Sequence, residues 1–394
     1  MPVPNRSQLA NMRGAVRMAT DATDTIAEVV ENMHRTIQRR PGILGSSTNG
    51  RVSGITGIVY RSVRGGIRLV GSAVEAGLSG VTPLCPAGES SPALGAYQSV
   101  VNGVYGDYLV RTGNPIAIDI SLRYRGQRVD PRAPMHVFAP HSDCVPAKKL
   151  LVLVHGLCMN DRQWNRKGHD HGEALAKEFG YQSLYLRYNS GLHIADNGRM
   201  FAAMLERLMG NWGTTVDELV IIGHSMGGLV ARSACHQGLE AGHRWPRLLR
   251  KLVFLGTPHH GAPLERGGHG LDLIMNMSPY SMPITRLSKS RSAGITDLRH
   301  GKILESEAIA PLPVGVKCYA AAAVLSAARN AVSDRLVGDG LVPVESALGQ
   351  HRDSARTLAI PASHQWVGYR MGHLELLNRP EVYRQISAWL QAPG

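Results

Sequence analysis

Aromatic residues are scarce in this sequence: Phe, Trp and Tyr together make up 5% of its 394 positions. They are not interleaved with basic residues in the way that stacks successive nucleic-acid bases, so no nucleic-acid partner is expected. Cysteine is sparse too. Cys85, Cys144, Cys158, Cys235 and Cys318 are scattered, odd in number and free of any C-x-x-C pair, which argues against a zinc knuckle and against a disulfide framework. No uncharged apolar run reaches the length of a bilayer-spanning helix. The stretch Met1 to Ala19 carries Arg6, Arg13 and Arg17 with no continuous apolar segment, unlike a secretory signal. A cytoplasmic protein is expected, with room for peripheral contact at a membrane.

A hydrophobic share of 43% is enough to fill a core, so a folded chain is expected rather than a disordered one. Lys and Arg number 43 against 30 acidic residues, a formal charge of +13. That excess favours anionic surfaces but says nothing about chemistry. The length admits two domains, or one large domain with an appendage.

The first part of the chain, residues 1–113, reads as helical, basic and rich in glycine. Ile26, Val29, Met33 and Ile37 recur at helical spacing within Thr20 to Arg40, and Pro41 stops that helix. A Gly/Ser/Thr-rich link covers 42–50. In Arg51 to Val81, one stripe holds Val52, Ile55, Val59, Val63, Ile67, Val70, Val74 and Leu78, with Arg61, Arg64 and Arg68 on the other side. An apolar stripe backed by arginines suits a helix lying at an anionic lipid surface. The commoner role of such a stripe, packing on the rest of the protein, is the preferred reading. The glycines in it weaken either helix, at about 1 kcal/mol each relative to Ala. Ser91-Pro92 then opens a helix through Leu94, Tyr97, Val101, Val104 and Tyr108, closed by Asn114-Pro115.

From residue 114 onward the period changes. Ile116, Ile118, Ile120, Leu122 and Tyr124 alternate as in a strand with one buried face, and Met135 to Phe138 offers a partner for it. Leu150 to Val154 is a continuous apolar run suited to the interior of a parallel sheet. Helices near Gly172 to Phe179, Asp196 to Leu208 and from Met226 then alternate with strands Ser183 to Tyr188, Leu219 to Ile222, Lys251 to Leu255, Gly315 to Ala320 and Thr357 to Ile360. Pro380 to Leu390 closes the chain as a helix. The alternation predicts an α/β domain, 114–394, with a mostly parallel central sheet and helices on both faces.

The chemistry concentrates at Gly223-His224-Ser225-Met226-Gly227, between an apolar strand and a helical stretch. G-x-S-x-G in that setting forms a strained turn that lifts the serine hydroxyl out as a nucleophile, with glycines where side chains would strike strand and helix. The Met226 N–H, opening the helix, is a donor for the oxyanion that forms on attack. A base is needed to take the serine proton, and two late histidines, His364 and His373, compete for that role. For the acid, Asp339 stands in Gly338-Asp-Gly-Leu-Val-Pro343 among turn-forming residues. Asp334 is a nearby alternative, and Asp297 comes too early. His259 and His260 are adjacent without an acidic partner, and no metal or other cofactor is expected.

Taken together, His155-Gly-Leu157, Gly223-His-Ser-Met-Gly-Gly228, Leu255-Gly-Thr-Pro-His-His-Gly-Ala262, Asp339-Gly-Leu-Val-Pro343 and Gly372-His373 resemble the lipase and esterase branch of the α/β-hydrolases. G-T-P-H-x-G is similar to bacterial triacylglycerol lipases and to GPI inositol-deacylase-like hydrolases. The resemblance covers about residue 116 to the end and implies the α/β-hydrolase fold with a triad in the order Ser225, Asp339, His373. It also implies that the Leu157 amide is the second oxyanion donor and that His155 shapes its loop. His373 is preferred as base because Leu-Glu-Leu-Leu follows it, as in the family. Segment 262–301, rich in Met, Pro, Gly and Ser, stands where relatives carry a cap. The implied activity is hydrolysis of carboxylic esters, small or lipid, with an acyltransferase using the same triad as the alternative. A third reading makes the chain a lipid-surface or granule-binding protein that attaches through residues 51–81 and whose hydrolase fold is incidental.

Overall fold

The computed structural model describes residues 5–38, 54–81, 91–134, 137, 146–262, 292–306, 310–327 and 338–392. They fall into two compact units: Met1–Leu94 with Leu109–Ile116, and Gly95–Tyr108 with Ala117–Gly394.

In the first unit, helix α1 (Arg6–Gln38) pairs with α2 (Gly54–Val81). The α1 helix begins at Arg6 rather than at the expected Thr20. Asn5 caps it reciprocally with Gln8: Gln8 N–H donates to Asn5 Oδ1 at 2.9 Å, and Asn5 N–H donates to Gln8 Oε1 at 2.8 Å. Close approach to α2 is set by Gly71, where a Cβ would lie 2.2 Å from Thr20 Oγ1. Ion pairs Arg68–Asp24 at 2.6 Å and Arg13–Glu75 at 3.8 Å bridge the two helices. Val70 and Val74 line an apolar groove with Val16 and Ala19, yet both stay exposed, as does Leu69 at 73%. Of the rest of the expected stripe, the side chains of Val52, Ile55, Val59, Val63 and Ile67 lie outside the described residues.

Helix α3 (Pro92–Arg111) leads to a hairpin of β1 (Ser121–Tyr124) and β2 (Gln127–Val129). Arg125 and Gly126 both take positive φ, 48° and 80°, the backbone of a tight two-residue turn whose twist matches the strands. This turn sets the partner of β1 as Gln127–Val129. Of the expected Met135 to Phe138 partner, only Val137 is described, and it is in no strand.

The remaining elements are β3 (Lys149–Val154), α4 (His171–Phe179), β4 (Gln182–Arg187), α5 (Ile194–Gly210), β5 (Glu218–His224), α6 (Met226–Glu240), β6 (Leu249–Leu255), α7 (Ala293–His300), β7 (Lys317–Val324), β8 (Gln365–Tyr369) and α8 (Pro380–Gln391). The strands form one sheet in the order β2-β1-β4-β3-β5-β6-β7-β8, parallel from β4 to β8, with β1 antiparallel to both of its neighbours. Side chains alternate across it. Leu150, Val152 and Val154 of β3 join Ile221, Phe254, Phe201 and Leu229 in one core. Leu151 and Leu153 join Ile222, Val253, Leu175, Ile386 and Trp389 in the other. Burial on both faces explains the unbroken apolar runs of the central strands.

Thr357–Ile360 is not a strand. Leu358 and Ile360 are buried beneath a loop, with Leu358 N–H bonded to Gly349 O at 2.8 Å. The last strand is β8, paired with β7 from Ala320↔Gln365 to Val324↔Tyr369. As an edge strand with only Gly368 buried, Gln-Trp-Val-Gly-Tyr carries little of the apolar pattern that marks a central one. Strand β7 runs on past the expected end at Ala320 to Val324.

Candidate active site

The chain leaves β3 for β4 on one side and then crosses to β5 on the other. The crevice at the carboxyl ends of β3 and β5 is therefore a topological switch point, where open α/β sheets place ligands. Strands β3 and β5 pair as Val154↔Gly223, and β5 pairs with β6 as His224↔Leu255. The loops that begin at His155, Ser225 and Gly256 thus emerge side by side.

Ser225 sits between β5 and α6 with φ 54° and ψ −126°, a region that costs a non-glycine residue about 1–3 kcal/mol. Packing holds it there. A Cβ on Gly223 would lie 2.5 Å from Gly228 Cα, and one on Gly227 only 2.1 Å from Val154 O. The Ser225 N–H is tied to Leu255 O at 2.9 Å. The Ser225 residue is 8% exposed. Met226 opens α6, where first-turn amides have no intrahelical acceptor.

The loop after β3 lies directly against this turn, for a Cβ on Gly156 would stand 3.0 Å from Ser225 Cβ. His155 is its wedge. The ring stacks on Tyr188 at 4.3 Å, Nδ1 donates to Gly156 O at 2.9 Å, and Nε2 accepts from Tyr188 N–H at 3.4 Å. Burial pushes its pKa down to about 3, so it is a neutral structural group. Tyr188 Oη donates to His155 O at 2.8 Å, and Ser190 Oγ accepts Cys158 N–H at 3.0 Å. The Leu157 amide has no hydrogen-bond partner among the described residues. Burial pushes the Cys158 thiol up to about 12, which leaves it protonated and unreactive.

Asp339 and His373 come together. His373 Nδ1 lies 2.6 Å from Asp339 Oδ2, with the residues 4% and 2% exposed. Asp339 Oδ1 accepts Leu341 N–H at 3.0 Å and Val342 N–H at 2.8 Å. His373 follows β8 at the carboxyl edge of the sheet. A Cβ on Gly256 (φ 59°) would come within 3.0 Å of its Cε1. The ring of His224, next to Ser225, lies 4.7 Å from the His373 ring, and His224 Nε2 donates to His373 O at 3.3 Å. Burial, followed by the charge of His373, holds His224 well below the usual imidazole range.

The rivals lie elsewhere. His364 precedes β8, at the opposite end of the sheet, and its Nδ1 bonds Cys318 O at 3.1 Å. Asp297 accepts from Ile194 N–H at 2.9 Å and from His193 Nδ1 at 3.0 Å, holding the start of α5. His259 meets Arg232, whereas His260 bonds Gly349 O at 3.1 Å, so the adjacent rings have different partners. Asp334 and most of the expected cap, residues 263–291, lie outside the described residues. Sequence reasoning did not single out Tyr188, Ser190 or the His224–His373 contact. The signal available was position: Tyr188 and Ser190 follow the end of β4, beside β3.

Residues 147–310 match the family described as the PGAP1-like alpha/beta domain. No curated protein matches the chain. Among solved structures, the mature form of lipase BlEst2 from Bacillus licheniformis is similar at 18% identity and TM-score 0.43, over 69% of this chain and 98% of that one. The metagenomic carboxyl esterase MGS0156 is similar at 17% identity and TM-score 0.40, over 79% and 98%. RedJ, a thioesterase of the prodiginine biosynthetic pathway in Streptomyces coelicolor, is similar at 16% identity and TM-score 0.36, over 65% and 98%. The strand order and the parallel core make the second unit an α/β fold with a mostly parallel sheet, of which residues 147–310 are similar to the PGAP1-like alpha/beta domain.

Proposed function

We propose that this protein is a serine hydrolase that cleaves carboxylic esters through an acyl-enzyme on Ser225. The observation that carries the reading is the buried Asp339–His373 pair, which meets the residue before Ser225 through the ring of His224. With Nδ1 committed as donor to the carboxylate, His373 has Nε2 as its basic nitrogen. It takes the Ser225 proton as Oγ attacks the ester carbonyl, and Asp339 stabilises the imidazolium that results. The Leu157 and Met226 amides receive the charge on the tetrahedral oxygen, a contribution of about 3–4 kcal/mol per donor in comparable sites. His373 then protonates the leaving alcohol, and water releases the acyl group by the reverse steps.

Ser225→Ala tests this directly. The variant is expected to fold, to lose labelling by a fluorophosphonate probe and to lose turnover of short p-nitrophenyl esters. Labelling at another residue, or turnover that survives, would overturn the assignment.

A second role has support in the first unit, where Leu69, Val70 and Val74 are exposed on the basic, glycine-rich helix α2. Residues 51–81 then give the protein a peripheral hold on an anionic membrane beside its catalytic function. The full chain should co-sediment with phosphatidylserine vesicles at low salt, and Leu69→Asp with Val70→Asp should release it. Equal sedimentation of the two proteins would exclude α2 as the contact.

A further inference from the structure

Arg232 has no role in the ester chemistry. It lies on α6 two helical turns beyond Ser225, about 10 Å along the axis, and is 4% exposed. Among the described residues no carboxylate pairs with it. Nη2 donates to Ala310 O at 2.8 Å, Nη1 meets His259 Nδ1 at 3.3 Å, and Nε has no acceptor. The acidic groups that act on it are the thiols of Cys235 and Cys318. Burial pushes both thiols up, Cys318 to about 12, so neither offers a counter-charge near neutral pH.

His259 extends the imbalance. A guanidinium only donates, so His259 Nδ1 accepts and the ring proton sits on Nε2. That atom also lacks a partner, in a residue 3% exposed. Burial and then the Arg232 charge hold His259 well below the usual imidazole range, so it is neutral and a fixed donor. Two donors without acceptors and a buried cation with no carboxylate partner among the described residues are costly.

Both residues line a cavity of ≈ 70 Å³, several times the ~10–15 Å³ that one water needs. His260, His300, Lys302, Ser306 and Arg356 complete its polar wall, and among the described residues none that lines it is Asp or Glu. The donors converge from α6, from the loop after β6 and from the segment holding Arg356. A planar carboxylate is best taken by a guanidinium fork, but both Nη atoms of Arg232 are already engaged. Donors arriving from several directions fit a tetrahedral anion.

We propose that this cavity binds an oxyanion of the phosphate class, with Arg232 Nε and His259 Nε2 as its inner donors and Arg356 towards its mouth. The site is separate from the proposed ester chemistry and does not depend on it. The phosphate comes either as the free ion or as a phosphate monoester.

The test is calorimetric titration and thermal unfolding of the full chain with inorganic phosphate and with glycerol 3-phosphate, at constant ionic strength, against chloride and acetate. Saturable binding of at least one phosphate species is expected, with a Tm rise that chloride and acetate do not produce. Tighter binding of glycerol 3-phosphate would identify a monoester as the ligand, and tighter binding of inorganic phosphate the free ion. Arg232→Met should weaken the dissociation constant at least tenfold, and Arg356→Gln, at the exposed rim, at least threefold. If Arg232→Met does not fold, Arg356→Gln decides. A phosphate response no larger than that of chloride, or an unchanged dissociation constant in a folded variant, would overturn the proposal.

Discussion

His373 donates from Nδ1 to one oxygen of Asp339 at 2.6 Å, while the other oxygen of that carboxylate accepts two backbone amides, from Leu341 and Val342. The turn therefore orients the carboxylate before the carboxylate orients the ring, and neither side chain can rotate without breaking a buried bond. Gly338 (φ 50°) and Gly340 (φ 94°) flank Asp339 and give the turn its left-handed backbone.

Asp339→Asn should leave the fold intact, because an amide oxygen can still accept from Leu341 and Val342. It should nevertheless lower kcat by about 10⁴-fold, since the amide nitrogen cannot accept from Nδ1–H and the ring takes the wrong tautomer. Steady-state kinetics on a p-nitrophenyl ester, with circular dichroism as the folding control, measures both.

The two late histidines should separate cleanly. His373→Asn is expected to remove activity, whereas His364→Asn, altered at the far end of β8, should keep kcat within about twofold because it is remote from the chemistry. Comparable losses in the two variants would mean that the base has been misassigned.

Gly227→Ala should destabilise the chain by about 1–3 kcal/mol or more. Its Cβ would enter the space of Val154 O, a backbone atom that cannot swing aside. Urea unfolding reports the change, and an unshifted midpoint would refute the packing argument for that glycine.

Acid should weaken the fold before it protonates the carboxylates. Burial pushes His155 down to about 3 and His171 to about 4, from the ordinary value of 6.5. Between those values the unfolded chain binds protons that the folded chain refuses. Stability is therefore complete above pH 6.5 and is lost as pH falls towards 4, by up to about 1.4 kcal/mol per pH unit for each histidine. Denaturation curves at pH 7.5 and 5.0 should show uptake of more than one proton on unfolding.

Tyr188→Phe removes the hydroxyl that holds the His155 carbonyl. A loss of about 1–2 kcal/mol in stability is expected from the unsatisfied buried acceptor. A fall in kcat of about tenfold should accompany it as the Leu157 loop loosens. An unchanged kcat would show that Tyr188 matters to stability alone.

Much of this was legible in the chain. The apolar run Leu150–Val154 reads as a strand because it is covered on both faces, and Gly-His-Ser-Met-Gly reads as a turn because the conformation of Ser225 tolerates no side chain at Gly223 or Gly227. Strand β8 was hidden for the converse reason: Gln365–Tyr369 lies at an edge and is mostly half-buried, so its pairing comes from β7 and not from a pattern of its own. The true start of α1 was missed because its cap is an Asn5–Gln8 exchange rather than an apolar repeat.

Local chemistry alone determined which residues are candidates for the proposed chemistry, where the strained turn falls and that a parallel sheet lies beneath it, because each depends on neighbours within a few positions. Which histidine meets which carboxylate, and that Arg232 and His259 are buried together with no carboxylate paired to them among the described residues, was decided only in three dimensions. These groups lie tens of residues apart along the chain. The order in which strands join the sheet, with the loops at their carboxyl ends, determines which of them can touch.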